Sequence, residues 1–432
     1  MIRYVADHLI TMQSDPAVIE RGVVDVADGR VVHAGSETEA PPFEGEVRRL
    51  SGLLLPGFVN THTHTPMVLL RGAGEGLPVD RWLVEVMWPR EGKLTPDDVR
   101  WGMTLGAGEL LTGGTTTSHE MYFFSEAVIE AAIDAGLRLV VTPPILTGDD
   151  LTRFGTWEEQ LQRMADIADE HRDHATVTVG IGPHSGYALP EEPLRAAAEL
   201  ATDRGLHIHI HLAEGRTEGD AIAERHGVTM PRYLDSLGIF DAPRVVAAHC
   251  VWVTEDDIEL MARRTVGVAH CPMSNGKHAS GIAPVTDLRA ASVPVGIATD
   301  GPSSHDRLDM FEEMRLALRL ARLRAGDAGA MTPADVLTMA TREAADVLGR
   351  PDLGRIAPGS RADMILVDTT PLGPVVETDD LVTHLVYSGT PDLVRTVWVE
   401  GRIVVDEGRP LRVDMDAART EVVQRARRLA LP

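Results

Sequence analysis

Short apolar runs recur along this chain, separated by segments long enough to form a helix. Eight of them, at 53–59, 114–119, 137–142, 176–181, 206–211, 244–249, 265–270 and 295–300, read as β-strands. Helices are predicted at 125–135, near 156–170, and at 191–204. Strands that alternate with helices pair in parallel. Eight such units close into a (β/α)8 barrel, an α/β fold whose working face lies at the C-terminal ends of the strands. Several runs lead into a histidine or an aspartate: His62 and His64 after the first, then His119, His184, His211, His249 and Asp300. His270 ends another run and reads as packing.

The two ends follow a different pattern. Residues 1–55 read as short strands at 4–12, 22–26 and 30–35, with Asp28 and Gly29 as a hairpin turn. The tail repeats this style, with a strand at 362–368 and a hairpin at 394–405 that turns at Glu400 and Gly401. Neither end is long enough to build a core alone, so the two are expected to pack together as one small β-sandwich. The expected division is sandwich at 1–55, catalytic barrel at 56–352 and sandwich again at 353–432.

Composition narrows the function. No stretch approaches the ~20 apolar residues of a membrane helix. An acid, Asp7, stands where a signal peptide would be apolar, so a cytoplasmic protein is expected. The net charge of −24, with no basic cluster to offset it, argues against a nucleic-acid partner. The only lysines are Lys93 and Lys277. A carbamylated lysine bridging two metals would have to be one of these, and neither ends a strand, which favours a single-metal site. Cys250 and Cys271 are far apart and read as buried free thiols rather than a disulfide.

His62 and His64 are two apart, so on a strand both rings share one face. His211 and Asp300, from later strand ends, complete a nitrogen and oxygen ligand set with one position open for water. Such a set suits Zn²⁺ first and Fe²⁺ second. Glu214 follows His211 by three residues, which places a general acid or base beside the metal. His249 is positioned to polarise the substrate or orient the water. The HExxH and HxE…PCxxC zinc signatures are both absent.

These residues sit in motifs that resemble the amidohydrolase superfamily, in the branch of 5′-methylthioadenosine/S-adenosylhomocysteine deaminases. The motifs are Pro56-Gly57-Phe58-Val59-Asn60-Thr61-His62-Thr63-His64, Trp88-Pro89-Arg90-Glu91, Gly113-Gly114-Thr115-Thr116-Thr117, Pro183-His184-Ser185, His211-Leu212-Ala213-Glu214, Ala248-His249-Cys250, Pro272-Met273-Ser274-Asn275 and Thr299-Asp300-Gly301. The resemblance implies that Asp300 takes a proton from the attacking water, Glu214 protonates a ring nitrogen and His249 orients the attack. It also implies that Glu91 binds ribose hydroxyls and that His184 contacts the substrate. Trp88, His119 and Ser304 are read with the same substrate side. A small heterocyclic amine is the implied partner, and a homodimer or homotetramer the implied assembly.

The likeness thins at the loops. Relatives acting on S-adenosylhomocysteine carry an arginine after the third strand for the substrate carboxylate. Here Pro143 and Pro144 stand there, with Arg153 the nearest replacement. The expected reaction is therefore hydrolytic deamination of adenosine or a 5′-modified adenosine without a carboxylate. Deamination of a guanine-type base, or release of chloride or alkylamine from a triazine, is the alternative. A non-catalytic scaffold is a remote third, because such scaffolds lose ligands that this chain keeps.

Overall fold

The computed structural model describes residues 1–373 and 380–430, the side chains of 149 and 150 excepted. The barrel strands are Phe58–Thr63, Thr115–Glu120, Arg138–Val141, Val177–Val179, Ile208–Leu212, Val245–His249, Val266–His270 and Val295–Ile297. They pair in parallel and in chain order as two four-stranded arcs. An Ile181–Ile208 bridge joins the arcs on one side. Side chains close the other: Asn60 Nδ2 donates to Thr299 Oγ1 at 2.8 Å, and the Thr299 N–H returns to Asn60 Oδ1 at 3.1 Å. The Asp300 N–H then donates to the His62 carbonyl at 3.1 Å. The closing seam therefore runs between two of the residues that matter most for chemistry.

Local signals set the helix limits. Ser125–Ala135 stops at Gly136, which takes a left-handed φ of 82° that only glycine adopts freely. Trp157–Glu170 begins after Thr156, which forms a capping box with Glu159. No described helix is long and apolar enough to cross a membrane.

The run at 53–59 divides between two domains. Leu53 to Pro56 complete the strand Glu46–Pro56, which pairs with Ile2–Ile10 and Met364–Val367. Only Phe58–Thr63 enters the barrel. Gly57 makes the corner: its N–H bonds the Asp363 carbonyl at 3.1 Å, and a Cβ there would meet the Thr116 side chain at 2.2 Å.

Strands from both chain ends form one eight-stranded sheet, with Met364–Val367 lying beside Glu46–Pro56 at its centre. The sheet folds back on itself. The Val31 N–H reaches the Ser360 carbonyl at 2.9 Å, and the Gly401 N–H reaches that of Ala362 at 2.9 Å. Tyr4, Leu9, Val24, Leu54, Met364 and Trp398 fill the space between. The tail beyond this sheet adds two helices that pack on helices around the barrel. Asp380–Ser388 packs on Pro333–Met339, and Met415–Ala430 packs on Pro96–Thr112. Arg425 and Arg428 pair there with Asp97 and Asp98. Both helices thus belong to the outer layer of the barrel.

Candidate active site

His62 and His64 leave the first barrel strand with their Nε2 atoms 3.3 Å and 3.4 Å from Asp300 Oδ1. His64 Nε2 also lies 3.3 Å from His211 Nε2. The far sides of the rings are held. His64 Nδ1 donates to the Met121 carbonyl at 2.6 Å, and His211 Nδ1 to the His184 carbonyl at 2.8 Å. A carbonyl only accepts, so each neutral ring carries its proton on Nδ1 and points a bare Nε2 at the other. Two lone pairs at 3.3 Å repel unless a cation joins them. His62 Nε2 is buried with no hydrogen-bond partner among the described residues. Burial lowers the His62 pKa to about 4 and also pulls His64 and His211 down, which keeps all three rings neutral, as metal ligands must be.

Three imidazole nitrogens within 4.8 Å of one another, plus one carboxylate, fit a single divalent metal ion with a position left for water. Cys271 also stands near His62 and His249. Burial pushes its thiol well above the ordinary value, and a protonated thiol is a poor ligand.

Two carboxyls beside this corner have their pKa values pushed in opposite directions. Burial alone would raise Asp300, but the facing imidazoles of His62, His249 and His64 pull it well below the carboxylate range. Ser274 Oγ donates to Asp300 Oδ2 at 2.6 Å. Burial, reinforced by the charge of Asp300, holds Glu214 well above its ordinary value. His249 bridges them: its Nε2 is 3.7 Å from Glu214 Oε2 and 4.0 Å from Asp300 Oδ2, while Nδ1 meets Asn275 Oδ1 at 2.9 Å. Ala213, His249 and Asp300 all have left-handed backbone, with φ of 50°, 73° and 56°. Each such non-glycine conformation costs ~1–3 kcal/mol, and here they gather at the strand ends that carry the chemistry.

The same cavity is lined by Glu91, His184, Trp88 and Ser304. Glu91 comes from the short helix Trp88–Glu91 and is only 3% exposed; burial pushes its carboxyl up to about 7, against a smaller opposing pull from Tyr122. His184 stacks on His211 at 4.4 Å, and Trp88 meets His184 edge-on at 6.5 Å. Ser304 Oγ already donates to the Gly301 carbonyl at 2.9 Å. Met121, Tyr122, Phe123 and Tyr187 complete much of the wall, and nothing in their sequence surroundings singled them out. His278 lines it too, directly after the helix Pro272–Lys277.

One expectation needs correction. His119 does not line this cavity. Its ring is wholly buried, stacked on His209 at 3.8 Å, with Nδ1 donating to the Thr61 carbonyl at 3.0 Å. The reason is depth: the second strand runs on past His119, and Met121 reaches the level of His64. Arg153 also stays outside. It donates to the Gly92 carbonyl at 3.0 Å and lines a neighbouring pocket over Phe124.

The amidohydrolase family model matches residues 53–404. The chain is 38% identical over 426 residues to a 5-methylthioadenosine/S-adenosylhomocysteine deaminase of Pelotomaculum thermopropionicum, covering 98% of this chain and 97% of that one. It is 37% identical to a 5′-deoxyadenosine deaminase of Methanothermobacter thermautotrophicus, covering 91% of each. The zinc-bound crystal structure of an adenosine deaminase from Xanthomonas campestris superposes with a TM-score of 0.92 at 32% identity, covering 99% of this chain and 98% of that one. With its ligand set, its barrel and its full-length relatives in agreement, the chain belongs to the amidohydrolase family, in the branch of the 5-methylthioadenosine/S-adenosylhomocysteine deaminases.

Proposed function

We propose that this protein is a metal-dependent aminohydrolase of adenosine-type nucleosides, and that it prefers those with an uncharged 5′ group. One observation carries the reading: Glu214, whose carboxyl burial pushes well above its ordinary value, and Asp300, held well below its own, share a cavity with the histidine cluster and with Glu91. A divalent ion held by His62, His64, His211 and Asp300 supplies Lewis acidity that makes water acidic enough to attack at neutral pH. Asp300 accepts the proton of that water. Glu214 gives its proton to the purine ring nitrogen next to the amine-bearing carbon. His249, whose Nε2 lacks a partner among the described residues, directs the incoming water. Asp300 passes that proton on to the amine, which leaves as ammonia, Glu214 regains a proton from the new hydroxyl, and the inosine-type product remains.

Glu91 is assigned to the two ribose hydroxyls, since one carboxylate accepts both. His184 and Trp88 are assigned to the edges of the substrate, and Ser304 to a weaker polar contact. No lysine or arginine lines the cavity among the described residues, whereas three acids do. A substrate carboxylate would therefore meet like charge and no partner. This favours adenosine, 5′-deoxyadenosine or 5′-methylthioadenosine over S-adenosylhomocysteine. The buried free thiols Cys250 and Cys271 suit a cytoplasmic protein, and a homodimer or homotetramer is the expected working form.

Ammonia release is the test, over adenosine, its 5′-deoxy and 5′-methylthio forms, S-adenosylhomocysteine, guanine and a chlorotriazine. Turnover of the uncharged nucleosides with kcat/KM at least ~10-fold above S-adenosylhomocysteine is expected. Turnover of free bases alone would remove Glu91 from its role. Chloride release without ammonia would overturn the deaminase assignment.

A further inference from the structure

Beneath the metal corner the barrel interior holds histidines, where barrels of this type are usually filled with branched aliphatic side chains. His209 and His119 are both wholly buried there. His209 Nε2 lies 2.7 Å from His62 Nδ1, and its own Nδ1 lies 2.8 Å from Thr142 Oγ1. Thr142 Oγ1 donates to the Glu120 carbonyl at 3.2 Å. That last bond fixes the direction of the whole row. The carbonyl only accepts, so the Thr142 proton goes to it, and the Thr142 oxygen accepts from His209 Nδ1–H. A neutral ring has one proton, so His209 Nε2 is a lone pair that accepts from His62 Nδ1–H. His62 is left with a bare Nε2 facing His64, His211 and Asp300.

We propose that His209 is a positioning residue that sets the tautomer and ring orientation of His62. Backbone carbonyls perform this task for His64 and His211, and an imidazole backed by Thr142 performs it for His62. The inference rests on the assignment of His62 as a metal ligand. Partners of this kind orient ligating histidines and are worth ~10–100-fold in metal affinity.

The experiment titrates the full chain with Zn²⁺ against a competing chelator and records the visible spectrum of the Co²⁺-loaded protein. His209→Leu is expected to weaken Zn²⁺ binding ~10–100-fold and to shift the Co²⁺ bands. His209→Gln, whose amide oxygen can accept from His62, recovers most of the affinity. Thr142→Val weakens binding in the same direction, because it frees His209 to take the opposing tautomer, and it decides the matter should His209→Leu fail to fold. His119→Phe keeps the ring stack and leaves affinity unchanged. Parent-like affinity and spectrum in folded His209→Leu or Thr142→Val, or an equal loss in His119→Phe, overturns this inference alone. A parent chain that binds no divalent metal overturns the ligand assignment and this inference with it.

Discussion

In the proposed reaction Glu214 donates a proton at neutral pH, and burial with the charge of Asp300 pushes its carboxyl upward in that sense. Glu214→Gln removes the mobile proton but preserves shape. It should retain the metal and lower kcat ~10²–10⁴-fold with little change in KM, as measured by ammonia release and metal content. Glu91 shows the opposite need. Burial pushes its carboxyl up to about 7, and the ionised form is the stronger acceptor for two hydroxyls. KM for adenosine should therefore fall as pH rises through about 7, while a Glu91→Gln variant stays weak and flat across the same range. At this scale the sequence spoke unevenly. His62, His64, His211 and Asp300 stood out by spacing, because strand periodicity and strand ends are visible in a chain. Glu91 was visible only through the family likeness. Tyr122, Tyr187 and His209 gave no signal, because they meet the site only through contacts between distant segments.

Among elements, the loop after the eighth strand carries Ser304 into the cavity and buries the next residue, His305. His305 Nδ1 lies 2.9 Å from Glu313 Oε1, and His305 Nε2 lies 3.8 Å from Glu312. Glu313 Oε2 also accepts the Met273 N–H at 3.1 Å, at the start of the helix that supplies Ser274 and Asn275. One ion pair thereby ties the loop to that helix and to Met310–Ala325. Burial opposes the charge on His305, but Glu313 and Glu312 raise its pKa from 6.5 to about 10. A histidine raised on folding stabilises fully below its unfolded value and loses that contribution as pH climbs through the folded one. The melting temperature should therefore fall between pH 7 and 10 more steeply in the parent than in His305→Asn, as followed by circular dichroism. The first apolar run teaches a related lesson about elements. Residues 53–59 look continuous because both halves are buried, and only the corner at Gly57 assigns them to different sheets.

At the scale of the whole molecule, the two domains are pinned by a buried cation. Arg138 begins the third barrel strand and is wholly buried, donating to Asp363 at 2.7 Å and 3.1 Å and pairing with Glu400. Arg138→Met would leave the Asp363 carboxylate without its counter-charge, bonded only to the Glu400 N–H at 2.7 Å. It should cost ~3–5 kcal/mol, read as a lower urea midpoint, while Zn²⁺ affinity of the folded fraction stays unchanged. Chelation of the metal should lower the melting temperature of the parent and spare a His62→Ala variant, because a ligand stabilises only a chain that binds it. The sequence by itself determined the alternation of strands and helices, the barrel that follows from it, and the residues at the strand ends, since all of these are local periodicity and local chemistry. Tertiary structure alone decided depth and company. It sank His119 one layer below the mouth, set Arg153 against Gly92 instead of in the cavity, and carried the tail helix onto the barrel. The physical reason is the same in each case. Strand register, closure and the packing of distant segments fix how far along a strand a side chain meets solvent, and a linear pattern of residues does not encode that distance.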